Sequence, residues 1–460
     1  MVCWVQWRFD PLSGLLPMAT EPVTQVAVSE PSLPEVHASV SVSRSPVFWR
    51  RLIGFLGPGF LISVGYMDPG NWATDIAGGS RFGYTLLFVV MLSNLMAILL
   101  QSLSLKLGVA TERDLAQLCR ESYGRAASFV LWIMAEVAIA ACDLAEVVGS
   151  AIALNLLFHV PLFFGVLITG CDVLLILLLQ RWGFRYIEGL VITLIATIIA
   201  LFGVQMFLSR PDYWPALHDL VVPSAGIITN PAMLYIAIGI LGATVMPHNL
   251  YLHSSIVQSR RYKRTAAGKR DAIRLANVDS ALALMIALFV NAAILVVAAA
   301  VFHRGGMFDV AAIQDAYKLL SPMVGAGSAS TLFAIALLAS GQNSSITGTL
   351  AGQVVMEGFI QLRIAPWLRR LITRSLAIIP TIVVVALMGE RGTEDLLILS
   401  QVILSFQLSF AVVPLVMFTG DRGKMGEFVN RRWLQVLAWV AAALIAGLNA
   451  WLLVQTVMGR

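Results

Sequence analysis

Leu61-Ile62-Ser63-Val64-Gly65-Tyr66-Met67-Asp68-Pro69-Gly70-Asn71-Trp72-Ala73-Thr74-Asp75-Ile76 decides the fold. An apolar stretch that starts near Leu52 and is long enough to enter a membrane is broken halfway by an acid, a proline and a glycine. Proline removes a backbone donor and glycine removes a Cβ, so a helix here unwinds and leaves carbonyl groups free. At membrane depth those carbonyls need a partner other than lipid. The run from Leu234 to Ile256 breaks in the same way, at Gly242-Ala243-Thr244-Val245-Met246-Pro247-His248-Asn249.

The whole chain supports a membrane setting for these breaks. It has 460 residues, 58% of them hydrophobic and 12% charged, with a mean hydropathy of +0.82. Soluble domains carry roughly 25% charged residues, so this composition excludes a soluble enzyme, a nucleic-acid-binding protein and a disordered scaffold. Apolar runs near the ~20 residues needed to cross ~30 Å of hydrocarbon fall at about 52–79, 84–106, 128–157, 162–180, 186–208, 233–258, 276–303, 330–359, 372–389, 394–418 and 432–456. They are too long, and too uniformly apolar, for the period-two strands of a barrel. The expectation is an all-α polytopic protein of eleven transmembrane helices.

Interrupted spans one and six, five spans apart, are the signature of a LeuT-like five-plus-five inverted repeat with a substrate site between the two unwound segments. Repeat one covers about 50–208, repeat two about 233–418, and an extra helix about 432–456, within a single transporter domain of residues 46–460. Residues 1–45 mix Pro, Ser, Val and Glu without an apolar block and read as a disordered cytoplasmic tail; Met18 is an alternative start. Of the 31 Lys and Arg, 25 fall on one set of alternate connections. That asymmetry sets the N-terminus inside and, with eleven spans, the C-terminus outside. The four cysteines have neither zinc-site nor disulfide-framework spacing.

The side chains at the breaks define a ligand chemistry. Asp68 offers an anionic oxygen, Asn71 an amide oxygen, Met246 a thioether and the unwound backbone at Ala243 a carbonyl. Oxygen ligands alone would suit Mg²⁺ or Ca²⁺; the thioether tilts the set toward softer transition metals. A methionine is ordinarily core filler, but this one adjoins a proline break that faces a second broken helix. An intramembrane carboxylate such as Asp68 is costly to bury without a role.

Asp68-Pro69-Gly70-Asn71, Met246-Pro247-His248-Asn249 with Leu250-Tyr251-Leu252-His253-Ser254, and the stretch from Gly341-Gln342-Asn343-Ser344-Ser345 to Met356-Glu357-Gly358 resemble the signature segments of the NRAMP family of proton-coupled divalent metal transporters. The likeness runs from about residue 50 to 456 and is greatest to bacterial manganese-importing members. The resemblance implies metal ligands at Asp68, Asn71, Ala243 and Met246, Mn²⁺ or Fe²⁺ as cargo with H⁺, and no resident cofactor. It also implies that Gln401 approaches the metal and that Gln101 lies near its path, although either glutamine is compatible with a satisfied polar contact between helices.

Glu136, Asp143 and Glu146 in span three fall within an arc of about 80° at ~100° per residue, and such a row faces a bundle interior. It reads as a proton relay or as static ion pairs. The resemblance pairs it with a span-nine arginine, best matched by Arg374, with Arg369 and Arg370 as alternatives. His248, two residues after Met246, titrates near neutrality when unperturbed, and the resemblance gives it a part in proton coupling; His253 reads as structural. The polar segment Gln342 to Glu357 reads as cytoplasmic, either shaping an inward gate or serving as a connector.

Proton-coupled metal import by alternating access, in a bacterial inner membrane, is the resulting expectation. The expected partners are metal ions, protons and the lipid bilayer, with no nucleic acid and the oligomeric state open, a monomer included. A sodium-coupled organic solute symporter of the same fold is the first alternative. A membrane-embedded metalloenzyme is the remote one, since it would need about three metal-holding His, Asp or Glu residues and no His-Glu-x-x-His motif occurs.

Overall fold

The computed structural model describes residues 31–457, apart from 35, 44, 171–182, 311, 325–327 and 363–364, and apart from a number of side chains between 366 and 394. The described chain is helical almost throughout. Its elements are α1 (Phe48–Phe55), α2 (Pro58–Ser63), α3 (Pro69–Phe82), α4 (Leu87–Thr111), α5 (Leu115–Ser122), α6 (Arg125–Phe158), α7 (Leu162–Thr169), α8 (Phe184–Ser209) and α9 (Tyr213–Val221). There follow α10 (Pro231–Thr244), α11 (Pro247–Ile256), α12 (Ala266–Ala298), α13 (Ile313–Val324), α14 (Ala329–Ile360), α15 (Pro366–Gly420) and α16 (Arg432–Val457). Among the described residues seven helical runs are long and apolar enough to cross a membrane.

Both expected breaks are present, and each has a local cause. Proline at the first position of a helix is pre-organised and lacks only a donor that would be orphaned anyway. Asp68 precedes Pro69, has extended backbone angles and accepts from the Asn71 backbone N–H at 2.8 Å, which makes it the cap of α3. Met246 takes the same extended conformation before Pro247 and α11. The first span is thus two short helices, α2 and α3, joined by a tight turn at Gly65–Met67. The sixth is α10 and α11 joined at Val245 and Met246.

The base of the first span is pinned by charge. Gly57 has φ of 142°, open only to glycine, and a Cβ there would run into Arg260 and Glu188. Asp279 of α12 accepts from the backbone N–H groups of Gly57 at 3.3 Å and Gly59 at 2.7 Å, two of the orphan donors at the start of α2. Arg260, fully buried, donates to Glu188 at 2.8 Å and to the carbonyls of Phe55 and Leu56 at the end of α1.

Several expectations need correction. Part of the supposed disordered tail is ordered: Leu33, Val36 and Val40 are buried, and Val40–Ser41 (β1) pairs in parallel with Arg260–Arg261 (β2). Their apolar side chains give this stretch surface to bury and the edge of 260–261 gives it backbone partners; residues 1–30 lie outside the described residues. The expected break between spans nine and ten is also absent, because α15 is helical through 390–393. Gly389 and Gly392 there cost only about 1 kcal/mol each in a helix and no proline stands between them. The segment Gln342 to Glu357 is no connector between helices but lies inside α14, where its small residues let α6 approach. Cys119, between the second and third apolar runs, is buried in α5. Of the fourth span, 171–180 lies outside the described residues.

Candidate metal site

The two breaks meet. The side-chain nitrogen of Asn71 donates to Asp68 Oδ1 at 2.7 Å, to the Ala243 carbonyl at 3.1 Å and to the Gly65 carbonyl at 3.4 Å. Three oxygens from both broken spans therefore surround one amide N–H₂ group, the environment that a small cation would take. The carbonyl of Ala243 is free for this because α10 ends one residue later, at Thr244, and the last carbonyls of a helix have no partner within it. Those carbonyls also carry the negative end of the helix dipole.

Asp68, Asn71, Ala243 and Met246 are all buried; Asn71 joins Asp68 to Ala243, and Met246 Sδ stands beside Gly65, whose carbonyl Asn71 also meets. Met246 packs with Ala141 and Cys142 of α6 and with Leu404 of α15 in one small apolar cluster. Among the buried polar oxygens with no hydrogen-bond partner are Asp68 Oδ2, Asn249 Oδ1, Asn291 Oδ1 and Gln401 Oε1. Unpaired buried acceptors are costly and rare.

Two of these residues were absent from the sequence-based site. Asn249 donates to Met246 Sδ at 3.7 Å and so aims the thioether. The parallel between Asp68-Pro-Gly-Asn71 and Met246-Pro-His-Asn249 was the signal: in each, an asparagine stands three residues after the helix cap. Asn291 of α12 donates to the Tyr66 carbonyl at 2.8 Å and to Asn71 Oδ1 at 3.3 Å. Its signal was a lone amide in the apolar run from Ala281 to Val301.

Gln401 lies against Gly70, where a Cβ would collide with its amide. Gln101 is farther back: it donates to the Tyr66 hydroxyl at 2.7 Å and meets His253 Nδ1 at 2.9 Å, forming a buried link between the first break, α4 and α11. His248 is buried with neither ring nitrogen partnered.

Asp143 and Glu146 are buried on α6, and Glu136 is half-buried about two to three turns earlier, where Trp132 donates to it at 3.1 Å. Ser345 of α14 donates to Glu146 at 3.1 Å. Gly348 brings that helix so close that a Cβ would stand 3.2 Å from both Asp143 Oδ1 and Glu146 Oε1. The side chains of Arg369, Arg370 and Arg374 lie outside the described residues. Among the described residues no three His, Cys, Asp or Glu side chains gather as a metal-holding group.

Comparison with known proteins agrees with this geometry. The family model described as natural resistance-associated macrophage protein-like (Nramp) matches residues 59–455. A divalent metal cation transporter MntH of Nostoc sp. is 62% identical over 431 residues, 94% of this chain and 97% of that protein. The crystal structure of the Eremococcus coleocola manganese transporter superposes with a TM-score of 0.85 at 44% identity, over 91% of this chain and 90% of that one. Inward-facing Mhp1 matches at a TM-score of 0.56 with 12% identity, covering 86% of this chain and 90% of that one, a likeness of fold alone. With its two helix breaks joined around one buried carboxylate, and a family match spanning nearly all of the described helices, the chain belongs to the Nramp family.

Proposed function

We propose that this protein imports divalent transition metal ions, Mn²⁺ and also Fe²⁺, together with protons, by alternating access. The observation that carries the reading is the oxygen cage around the Asn71 amide, with Met246 beside it. The amide N–H₂ group donates to Asp68, Gly65 and Ala243. An arriving ion displaces it, the amide turns its oxygen inward, and Asp68, Asn71, the Ala243 carbonyl and Met246 become ligands. Soft thioether and hard oxygens together favour Mn²⁺ and Fe²⁺ over Ca²⁺ and Mg²⁺. The substrate named for the Nostoc and Eremococcus relatives points the same way.

Protons take the row Asp143, Glu146 and Glu136 toward the cytoplasm, with Arg374 as the basic partner and His248 between the metal and that row. A LeuT-like five-plus-five repeat, with the N-terminus inside a bacterial inner membrane, fits the likeness to Mhp1 and the basic connections.

The test is flux in sodium-free proteoliposomes carrying a metal-quenched dye and an internal pH dye in parallel. Mn²⁺ entry should acidify the lumen, and Asp143→Asn should separate the two signals. Uptake that demands sodium, or Mn²⁺ entry with no proton movement, would defeat the proposal.

A further inference from the structure

Residues 31–34 and 36–41 run across one face of the bundle, from α5 and α14 to the end of the sixth span. Ser32 donates to Asp114, the cap of α5, at 2.6 Å, and the Leu33 N–H donates to the Glu357 carboxylate, near the end of α14, at 3.0 Å. Farther along, the Ala38 N–H donates to the Gln258 carbonyl, just past α11, at 2.9 Å, and Val40–Ser41 pairs with Arg260–Arg261. We propose that this segment is a strap that holds the face shut and detaches when the face opens, an inference that rests on the alternating-access reading above.

The strap bridges parts that must separate. α2 and α11 are the halves of the two broken spans on the same side of the metal site, because Arg260, just beyond α11, donates to the Phe55 and Leu56 carbonyls just ahead of α2. Opening on that side swings these halves about the breaks and away from the helices beside them. α5 and α14 are tied to each other by Arg120, which donates to the Gly358 carbonyl at 2.6 Å. One end of the strap is fixed to that pair, and the other to Gln258 and the strand that carries Arg260, so it lies across the parting.

Its backbone is strained. Leu33 and Ala38 have φ of 54° and 50°, in the left-handed region that disfavours residues with a side chain. Such angles persist only where the surroundings impose them. The bonds from Leu33 to Glu357 and from Ala38 to Gln258 are what impose them here, so breaking those two bonds relieves both residues.

Its attachment is modest in size. Among the described residues it buries the side chains of Leu33, Val36 and Val40, and its strand is two residues long. Apolar burial favours the docked state, while a two-stranded pairing this short is marginal in water. The strap is therefore docked in this form of the protein and can be released within a transport cycle.

The experiment varies Ala38 in the full chain. Proline cannot take a positive φ and lacks the N–H that the Gln258 carbonyl accepts, so Ala38→Pro frees the strap. Glycine takes that φ without strain, so Ala38→Gly holds it more firmly. Initial Mn²⁺ flux into proteoliposomes should rise in Ala38→Pro and fall about threefold in Ala38→Gly, the factor for relieving one left-handed alanine. Amide hydrogen exchange of α2 in detergent, read by mass spectrometry, should be faster than native in Ala38→Pro and slower in Ala38→Gly. Equal flux in the three proteins, or a loss in Ala38→Pro with no change in Ala38→Gly, would overturn the proposal. A native chain that carries no Mn²⁺ would defeat the transport reading alone; the α2 exchange would then decide the strap by itself, and equal exchange in the three proteins would overturn it.

Discussion

Asn71 Nδ2 lies 3.1 Å from the Ala243 carbonyl, so one amide hydrogen bond joins two helix breaks that are 172 residues apart in sequence. The same nitrogen donates to Asp68 Oδ1, which also accepts from the Asn71 backbone N–H, so one amide gives positive charge density to oxygens of both breaks, as a cation would. In the proposed cycle, binding turns on a flip of the Asn71 amide that exchanges Nδ2 for Oδ1 and releases Oδ1 from Asn291.

Selectivity should follow the thioether. Met246→Ala leaves Asp68, Asn71 and the Ala243 carbonyl as an all-oxygen set, which hard cations accept. The variant should retain part of its Mn²⁺ uptake and admit Ca²⁺. Competition by Ca²⁺ against Mn²⁺ flux measures this, and unchanged exclusion of Ca²⁺ would remove the role given to Met246.

Gly70 and Gln401 should be energetically coupled. A Cβ at Gly70 would displace the buried Gln401 amide. Gly70→Ala should reduce uptake on the order of tenfold, and Gln401→Ala added to it should restore part of the loss, as contacting pairs are non-additive. Strictly additive losses in the double variant would show that the contact does not matter.

The ion pair at the base of the first span should bear on stability. Glu188→Gln leaves the fully buried Arg260 guanidinium without its counter-charge, and breaking a buried pair on one side costs about 3 to 5 kcal/mol. Thermal unfolding in detergent should show a clearly lower midpoint. An unchanged midpoint would mean that the Phe55 and Leu56 carbonyls hold Arg260 by themselves.

On the connection between α4 and α5, burial pushes Asp114 up to about 6 against the help of a hydrogen bond from Ser32 at 2.6 Å. A carboxyl whose folded pKa exceeds its unfolded value of 3.8 favours the folded state at low pH, and loses that contribution as pH rises from about 4 to about 6. Its full size is on the order of 3 kcal/mol. Asp114→Asn still caps α5 and cannot ionise, so stability relative to the native chain should improve between pH 4 and 7. A difference that does not vary with pH would contradict this.

Much of this was legible in the sequence because proline and glycine act locally. Asp68-Pro69-Gly70-Asn71 and Met246-Pro247 dictate a helix cap and a break wherever they stand, and composition places them in lipid. What escaped notice depends on packing. Asn291 reaches the site from α12 only through the fold, and nothing near it in sequence marks its target. Leu33, Val36 and Val40 look like tail until the edge at Arg260–Arg261 is there to receive them. The polar run of α14 looked exposed because its serines and glycines match an acidic helix rather than lipid.

Titration calorimetry of Mn²⁺ into the purified native chain and into Asp68→Ala tests the central claim most directly, because it reads the site without needing transport. Saturable one-site binding that Asp68→Ala abolishes is the predicted result. Equal binding by both proteins would place the metal elsewhere and contradict the site described between the two breaks.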